Sequence, residues 1–466
     1  RANKNGKIYW LERAKRFGFS DGQIGKIMNL TTVEVRNLRE KHKIIPYVKQ
    51  IDTLAAEWPA KTNYLYLTYA ADEHDIDYET EFQENLKKVI VLGSGTYRIG
   101  ASVEFDWGCV NCLWGLKKQS MGVDQAIMIN YNPETVSTDF DISDKLYFEE
   151  ISGERVMDIC ELEKAYGIVV SAGGQIANNL AAKFVKYKQF FEKINLNILG
   201  THASRIDMAE DRSKFSSLLD ELQIKQPQWS MLTTKREAFD FARKVGYPVL
   251  IRPSYVLSGA AMRVAHDEET LKNTLDLAAS VSQEYPVVIT KFFTNAREVE
   301  CDGVCDGENV FIGAIVEHIE NAGIHSGDAT MAIPPQTISE KVIKKIKQYT
   351  LKIALALKIR GPFNIQYLVK NGDAYVIECN LRSSRSMPYV SKSRGINLMR
   401  LAAEVIMGEK IPQKLMELPR GEYVSIKTPM FSFMRLDSAD PILGVEMAST
   451  GEVACIGEDL PEALVK

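Results

Sequence analysis

The chain has 466 residues, 45% of them hydrophobic and 25% charged, with a formal net charge of -4 at pH 7. That composition is globular, the length suits roughly three domains, and the near-neutral charge argues against a protein that meets nucleic acid or a membrane surface along its whole length. No apolar run approaches the ~18 residues of a membrane span and no signal peptide is visible, so we expect a soluble protein with no membrane partner.

The chain opens on Arg1 rather than Met, which points to a fragment or a processed chain. Its first fifty residues carry twelve Lys and Arg against four Asp and Glu, a local net charge of +8. Within them SDGQIGKIMNLTTVEVRNLREKHKI reads as two short helices joined by a turn, with Ser20 and Thr31 or Thr32 as N-caps. This is helix-turn-helix patterning, and a DNA-reading helix would carry Thr32, Glu34, Arg36 and Arg39. Glu34 and Glu40 would meet phosphates unfavourably, so a small helical packing domain with a basic solvated face is the better account. Residues 51–86 turn acidic and polar after the aromatic run NYLYLTY, which places a domain boundary near residue 85.

From Lys87 strands alternate with helices: KKVIVLG, a glycine loop and helix, AIMINYN, the helix GERVMDICELEKAYG, IVVSAGGQ, a helix, and LNILGT. That order predicts a parallel sheet with ligands at the strand C-terminal ends. The loop GSGTYRIGAS does not make a dinucleotide fingerprint. Gly93 and Gly95 fit the first two glycines, but Arg98 stands at the third, the Lys of a P-loop is missing, and the second strand ends in Asn130-Tyr131-Asn132 rather than in an acidic residue. Cys109 and Cys112 have redox or zinc spacing with no second pair beside them, so we read them as small residues packing a helix. Seven cysteines, an odd number, fit a reducing compartment, and we expect the cytoplasm, with the mitochondrion as the alternative.

After Gly200 come AEDRSKFSSLLDEL, then a helix with a capping box at Thr234 and Glu237, then the strand YPVLIRPS. YVLSGAAMRV is a Gly-containing turn whose backbone N–H groups could cover phosphates as a lid. Helix DEETLKNTLDLAASV and strand PVVITKFF lead to a hairpin turning at Asp306-Gly307, where alternation puts Glu298, Glu300 and Asp302 on one face. Three carboxylates in a row repel unless cations answer them. The loop ENAGIHSGDAT adds Glu320, Asn321, His325, Ser326 and Asp328, and the helix SEKVIKKIKQYTLKIALALK follows.

The segment GPFNIQYLVKNGDAYVIECNLRSSRS, residues 361–386, is a β-hairpin about Asn371-Gly372. A two-residue turn in plain register would set Ile365 against Glu378 and Gln366 against Ile377, mixing polar and apolar residues on both faces. An odd loop of three or five residues pairs Gln366 with Glu378, Asn364 with Asn380, Phe363 with Leu381, Ile365 with Cys379, Tyr367 with Ile377 and Val369 with Tyr375, which separates the faces. One face then packs a core. The other presents Asn364, Gln366, Glu378 and Asn380, oxygen ligands for a hard cation such as Mg²⁺, with Arg382 and Arg385 just beyond.

The motifs RPSYVLSGAAM, EVE, EHIENAGIHSGD, GPFNIQ and IECNLRSSRS together resemble the second, carbamoyl-phosphate-forming half of the carbamoyl-phosphate synthetase large subunit. VLGSGTYRIGASVEFDW and NYNPETVSTDFD resemble the preparatory α/β domain of that half, and GVEMASTGEVAC its end, so the resemblance runs along the whole chain. It implies an α/β and α+β architecture: a tail of a helical oligomerisation domain (1–85), a parallel-sheet pre-ATP-grasp domain (86–200), an ATP-grasp domain (201–415) and C-terminal strands closing the unit (416–466). It displaces the DNA-binding reading, so no nucleic-acid partner is expected.

The implied activity is ATP-dependent phosphorylation of carbamate to carbamoyl phosphate, a ligase step of pyrimidine or arginine synthesis. Carried over by position, the resemblance assigns Arg212 and Arg252 to ATP phosphates and Ser258-Gly259 to the lid. Lys291 and Phe293 fall to the adenine, Glu298 to the ribose, and Gly323, Ile324, His325 and Ser326 to the nucleotide. Gln366, Glu378 and Asn380 would hold Mg²⁺ or Mn²⁺ against ATP. Glu298, His318, Glu320, Asn321 and Thr330 would hold a monovalent cation such as K⁺, and Arg382 and Arg385 would clamp the acceptor and the transferring phosphoryl. The glutaminase and the first synthetase half of such an enzyme are expected partners, with oligomerisation through the N-terminal helices. A biotin-dependent carboxylase of the same fold and a nucleotide-sensing DNA-binding regulator are the alternatives.

Overall fold

A computed structural model describes residues 4–52, 55, 57–58, 63–96, 103–187, 191–192, 194–232, 234–253, 263–281, 287–417, 421–433, 441–444 and 447–466. The chain divides into two compact units, residues 1–96 with 112–199, and residues 97–111 with 200–466. No helix among the described residues is long and apolar enough to cross a membrane.

The first unit is built on a seven-stranded sheet. Strands Lys88–Leu92, Gln125–Asn130, Lys145–Phe148, Gly167–Val169 and Asn197–Leu199 run parallel, as the alternating pattern predicts, and the first of them is buried along its whole length. Strands Tyr47–Gln50 and Tyr64–Thr68, upstream of the expected boundary at residue 85, join the same sheet, with Tyr64 beside Leu146. Asn130 does not await a ribose: its Oδ1 accepts the Gly95 N–H at 3.0 Å and so fixes the glycine loop. Arg98 and Gly100 of that loop lie outside the described residues. Cys109 and Cys112 are buried on the helix Val103–Leu116, free of any disulfide, in keeping with a packing role.

Helices Lys4–Arg16, Asp21–Met28 and Thr32–Lys41 close a small core of Leu11, Ile24, Val35, Ile44 and Tyr69. Ser20 and Thr31 cap the second and third, each through a complete capping box with Gln23 and Glu34. The two arginines of the would-be recognition helix are not solvated. Arg36 and Arg39 are 3% and 1% exposed. Both donate to Asp158 Oδ1, at 2.5 and 2.7 Å, and Arg39 also reaches Asp21 at 2.9 Å. A guanidinium committed to buried carboxylates cannot meet phosphates, which removes the physical basis of DNA reading. The expected basic solvated face is corrected at the same two residues.

The second unit holds two antiparallel sheets. Four strands, Arg263–Ala265, Val249–Pro253, Val287–Lys291 and Trp229–Leu232, lie side by side in that order. Helix Lys235–Val245, with the expected Thr234–Glu237 capping box, packs Ala238 and Ala242 into their core beside Val249, Ile251 and Ile289. The stretch AEDRSKFSSLLDEL spans the end of one helix, Ala203–Glu210, and a second, Arg212–Glu221, because Asp211 interposes as an N-cap accepting from Ser213 and Lys214. The larger sheet has seven strands in the order Asp373–Asn380, Arg360–Lys370, Arg297–Asp306, Val310–Asn321, Met331–Ile333, Val424–Met430 and Gly451–Gly457. Helices Glu340–Ala356 and Leu398–Ile406 bury apolar faces in this unit.

Candidate active site

The hairpin that presents the polar face turns on two residues, not three or five. Asn371 and Gly372 have φ of 52° and 72°, left-handed values that Asn tolerates and Gly adopts freely, between the paired ends Lys370 and Asp373. The odd loop is thus corrected, yet Gln366 does face Glu378, Asn364 faces Asn380 and Ile365 faces Cys379. A register shift between Gln366 and Tyr367 makes both true, with Ile377 as the extra residue of a β-bulge. Tyr367 faces Val376 and Val369 faces Ala374, in place of the expected Ile377 and Tyr375. The expected Phe363–Leu381 pair falls beyond the strand end at Asn380. The bulge also has a use: the Ile377 carbonyl accepts Arg212 Nη1 at 3.1 Å.

Strand Arg297–Asp306 pairs with the other side of Arg360–Lys370, setting Glu300 against Gln366 and Asp302 against Asn364. Two polar rungs therefore cross three strands, Glu378–Gln366–Glu300 and Asn380–Asn364–Asp302. The carboxylates at their inner ends are buried, Glu300 at 2% and Asp302 at 0% exposure. What answers the charge is one histidine and several neutral donors. His318 Nε2 lies 3.2 Å from Glu300 Oε1, and Asn364 Nδ2 donates to Glu300 at 2.9 Å and Asp302 at 3.1 Å. Burial works to lower the His318 pKa, but the bond to Glu300 and the charges of Glu298 and Glu300 outweigh it and raise it. Glu300 is correspondingly held low against its own burial, first by His318, while burial and then the charge of Glu300 push Asp302 up to about 7.

Glu298, Glu300 and His318 bring one ligand atom each to within 4.8 Å of one another. Of the residues expected at a monovalent cation, Glu298 and His318 come together here, joined by Glu300, which the sequence reading had not included. Glu320 instead accepts the Thr330 N–H at 2.8 Å, and Asn321 is exposed opposite Arg297.

Arg212, at the start of its helix, places Nη2 2.6 Å from Glu378 Oε2. Arg382 bonds Asn380 Oδ1 at 3.1 Å and the Ser383 carbonyl at 2.9 Å. The guanidinium carbons of Arg382 and Arg385 lie 5.4 and 5.1 Å from the centre of the Phe105 ring, and Arg385 Nη1 is 3.5 Å from Glu104 Oε2. Sequence reasoning missed Glu104 and Phe105. The signal was an acidic and aromatic start to the helix that follows the glycine loop.

Gly323 has a φ of 113°, and His325 takes the Gly327 N–H on Nδ1 at 3.0 Å, leaving Nε2 to carry the proton. Burial and then the charge of Arg385 lower the His325 pKa to about 4. Asp328 anchors this loop through the N–H groups of Ala448 and Ser449 at 2.7 and 2.8 Å. Elsewhere, Lys291 Nζ donates to the Gly246 and Tyr247 carbonyls, both at 2.9 Å, and Phe293 meets Tyr375 edge-on at 5.0 Å. The backbone of Arg252 lies in strand Val249–Pro253. Its side chain, with Ser258 and Gly259, lies outside the described residues.

The donor set at Gln366, Glu378 and Asn380 is all oxygen apart from amide nitrogens, which fits a hard divalent cation, and three guanidinium groups converge on the same end of the hairpin. Carboxylate beside arginine on a rigid sheet is the equipment for handling polyphosphate.

Residues 85–208 match the family model described as the carbamoyl phosphate synthase preATP-grasp domain, and residues 211–414 the one described as the carbamoyl-phosphate synthase L chain, ATP binding domain. The chain is 52% identical over 461 residues to the mitochondrial carbamoyl-phosphate synthase [ammonia] of Mus musculus. It is 50% identical over 472 residues to the arginine-specific large chain of Schizosaccharomyces pombe, and 50% over 457 residues to the multifunctional protein URA2 of Saccharomyces cerevisiae. Each match takes in 98% of this chain but only 30%, 39% and 20% of those proteins, so the chain spans well under half the length of these relatives. Among solved structures, the Campylobacter jejuni biotin carboxylase complex with β,γ-ATP aligns at a TM-score of 0.64, 18% identity, over 82% of this chain and 89% of that one. The biotin carboxylase domain of Hydrogenobacter thermophilus 2-oxoglutarate carboxylase aligns at 0.57, 19% identity, over 74% of each. At such identity these two likenesses speak for the fold alone.

Proposed function

The chain belongs to the carbamoyl-phosphate synthase family, and from that premise we propose that its second unit transfers the γ-phosphoryl group of ATP to carbamate, giving carbamoyl phosphate and ADP. The observation that carries the reading is the pair of polar rungs ending at Glu378 and Asn380 beside Arg212, Arg382 and Arg385. In the step a carbamate oxygen forms the new P–O bond as the bond from the γ-phosphorus to the β-bridging oxygen breaks and ADP leaves. No side-chain nucleophile takes part.

Gln366, Glu378 and Asn380 would hold Mg²⁺ or Mn²⁺, which when bound neutralises charge on the β- and γ-phosphates. Arg212 and Arg252 bind phosphate oxygens under the lid at Ser258 and Gly259. Arg382 and Arg385, held over Phe105, orient carbamate and stabilise charge on the equatorial oxygens of the moving group. His325 is neutral at pH 7 and offers Nε2–H as a donor along the nucleotide with Gly323, Ile324 and Ser326. Lys291, Phe293 and Glu298 receive the adenosine, and Glu298, His318, Glu320, Asn321 and Thr330 serve a monovalent cation such as K⁺.

By the same reading residues 1–85 are the tail of an oligomerisation domain that lends two strands to the pre-ATP-grasp domain (86–200), ahead of the ATP-grasp domain (201–415) and closing strands (416–466). Glutaminase and a first synthetase half supply carbamate from elsewhere, and the compartment is cytoplasmic or mitochondrial. The test is the reverse reaction: the 466-residue chain with carbamoyl phosphate, ADP, Mg²⁺ and K⁺ should form ATP. A folded sample that forms none refutes the proposal, as would ATP turnover dependent on biotin and bicarbonate.

A further inference from the structure

Arg385 is flanked by two serines whose side chains both reach the buried carboxylate of Asp302, and one of them also reaches Glu300. Ser384 Oγ donates to Asp302 Oδ1 at 2.5 Å and accepts the Met387 N–H at 3.0 Å. Ser386 Oγ lies 2.5 Å from Asp302 Oδ2 and 2.8 Å from Glu300 Oε2. Both serines are buried, at 4% and 1% exposure, and Asp302 is wholly so. Asp302 is itself tied to the sheet by Asn364 at 3.1 Å. Its two oxygens therefore grip the residue before and the residue after Arg385, fixing that stretch of chain to the inner end of a three-strand ladder.

A buried carboxylate is an expensive way to pin a loop unless the loop must be exact. An arginine side chain has four rotatable torsions, so its guanidinium is placed only as well as its backbone is. Arg382 has its own anchors at Asn380 and the Ser383 carbonyl. Among the described residues, the Arg385 guanidinium meets the Phe105 ring and makes a long 3.5 Å contact to Glu104.

We propose that Asp302, through Ser384 and Ser386, is the positioning residue for Arg385 in the acceptor clamp, an inference that rests on the phosphoryl-transfer reading above. On this reading Asp302 acts through Arg385 rather than by contact with substrate or metal. Asn at this position keeps the shape and can still bond both hydroxyls, one of them as donor; Ala can bond neither.

The test is ATP formation from ADP and carbamoyl phosphate by the 466-residue chain carrying D302N, D302A, S384A/S386A, R385A and the D302A/R385A pair. D302A and S384A/S386A should each lower kcat by about 100-fold with little change in the KM for ADP, the cost of a roughly 1 Å misplacement, while D302N recovers most of the rate. D302A should add almost nothing in the R385A background, since a group acting only through Arg385 has nothing left to position. A role in folding alone predicts multiplied losses in the pair and a KM for ADP that moves with kcat, and that result overturns the inference. Should D302A fail to fold, S384A/S386A with R385A completes the same cycle. If the wild-type chain forms no ATP, the reading of the site falls and takes the inference with it. If it forms ATP and R385A is impaired while both clamp variants are not, the inference alone is refuted.

Discussion

Glu378→Gln separates metal and phosphate chemistry from folding at one atom pair. In the fold Glu378 pairs with Arg212 at 2.6 Å and accepts from Asn380 Nδ2 at 3.3 Å, and the Glu378 and Arg212 side chains are 28% and 23% exposed. A pair that open to solvent contributes about 0–1 kcal/mol to stability, and glutamine can still accept from Arg212 through its carbonyl, so the expected change in Tm is small. Activity should respond on another scale. Removing one preorganised charged group from the point where phosphate charge is handled costs about 10²–10³ in kcat. The assay is the initial rate of ATP formation from ADP and carbamoyl phosphate over a Mg²⁺ titration, with thermal unfolding on the same samples. The variant should need more Mg²⁺ and remain at least about 100-fold slow at saturation. A rate within about threefold of wild type would refute the role given to Glu378, and a loss of activity matched by a large fall in Tm would refute the separation.

Asp158→Asn leaves Arg36 and Arg39 buried without their shared carboxylate, and should destabilise the first unit by about 3–5 kcal/mol in chemical denaturation. Because the arginines hold the Asp158 pKa down despite its burial, this contribution is present above the unfolded carboxylate value of about 3.9 and is lost as pH falls through the lower folded value. Phe105→Ala removes the ring under both arginines, and at about 0.5–2 kcal/mol should slow ATP formation by about 2- to 30-fold without abolishing it. The two histidines should part in ring NMR titrations. His325, lowered to about 4, stays neutral from pH 8 to about 5, and the unfolded chain, protonating first near 6.5, draws stability away as pH falls between those values. His318, raised by Glu300, should remain protonated past the ordinary range, and coincident titrations of the pair would contradict both environments.

Much of the hairpin was legible because side-chain period is rigid: only one pairing of Gln366 and Glu378 keeps the faces apart. The means was not legible. A bulge at Ile377 leaves no residue signature in IECN, and it reconciled an Asn-Gly turn with a register that seemed to forbid it. The N-terminal helices and their caps could be read from Ser20 and Thr31, but the fate of Arg36 and Arg39 could not, since their partner Asp158 lies more than a hundred residues away. The same distance hid Phe105 beneath Arg382 and Arg385. Sequence pattern reports local period and capping; contacts across the chain need the fold.

The carboxylate strand shows why that limit matters for function. Read alone, Glu298, Glu300 and Asp302 ask for cations, and His318, its pKa raised by its bond to Glu300 and by the charges of Glu298 and Glu300, lies 3.2 Å from Glu300. The rest of the charge differs by position along the two rungs. At the edge of the sheet Glu378 meets Arg212 while still open to solvent. At the centre Asp302 is raised toward neutrality by burial and by Glu300, and its oxygens go to serines. A single ladder thus grades from charge that a ligand can use to polarity that only the protein can use. On the proposed reading, that gradient lets one ladder serve two tasks: the outer end would bind, and the inner end would hold still the loop that carries Arg385.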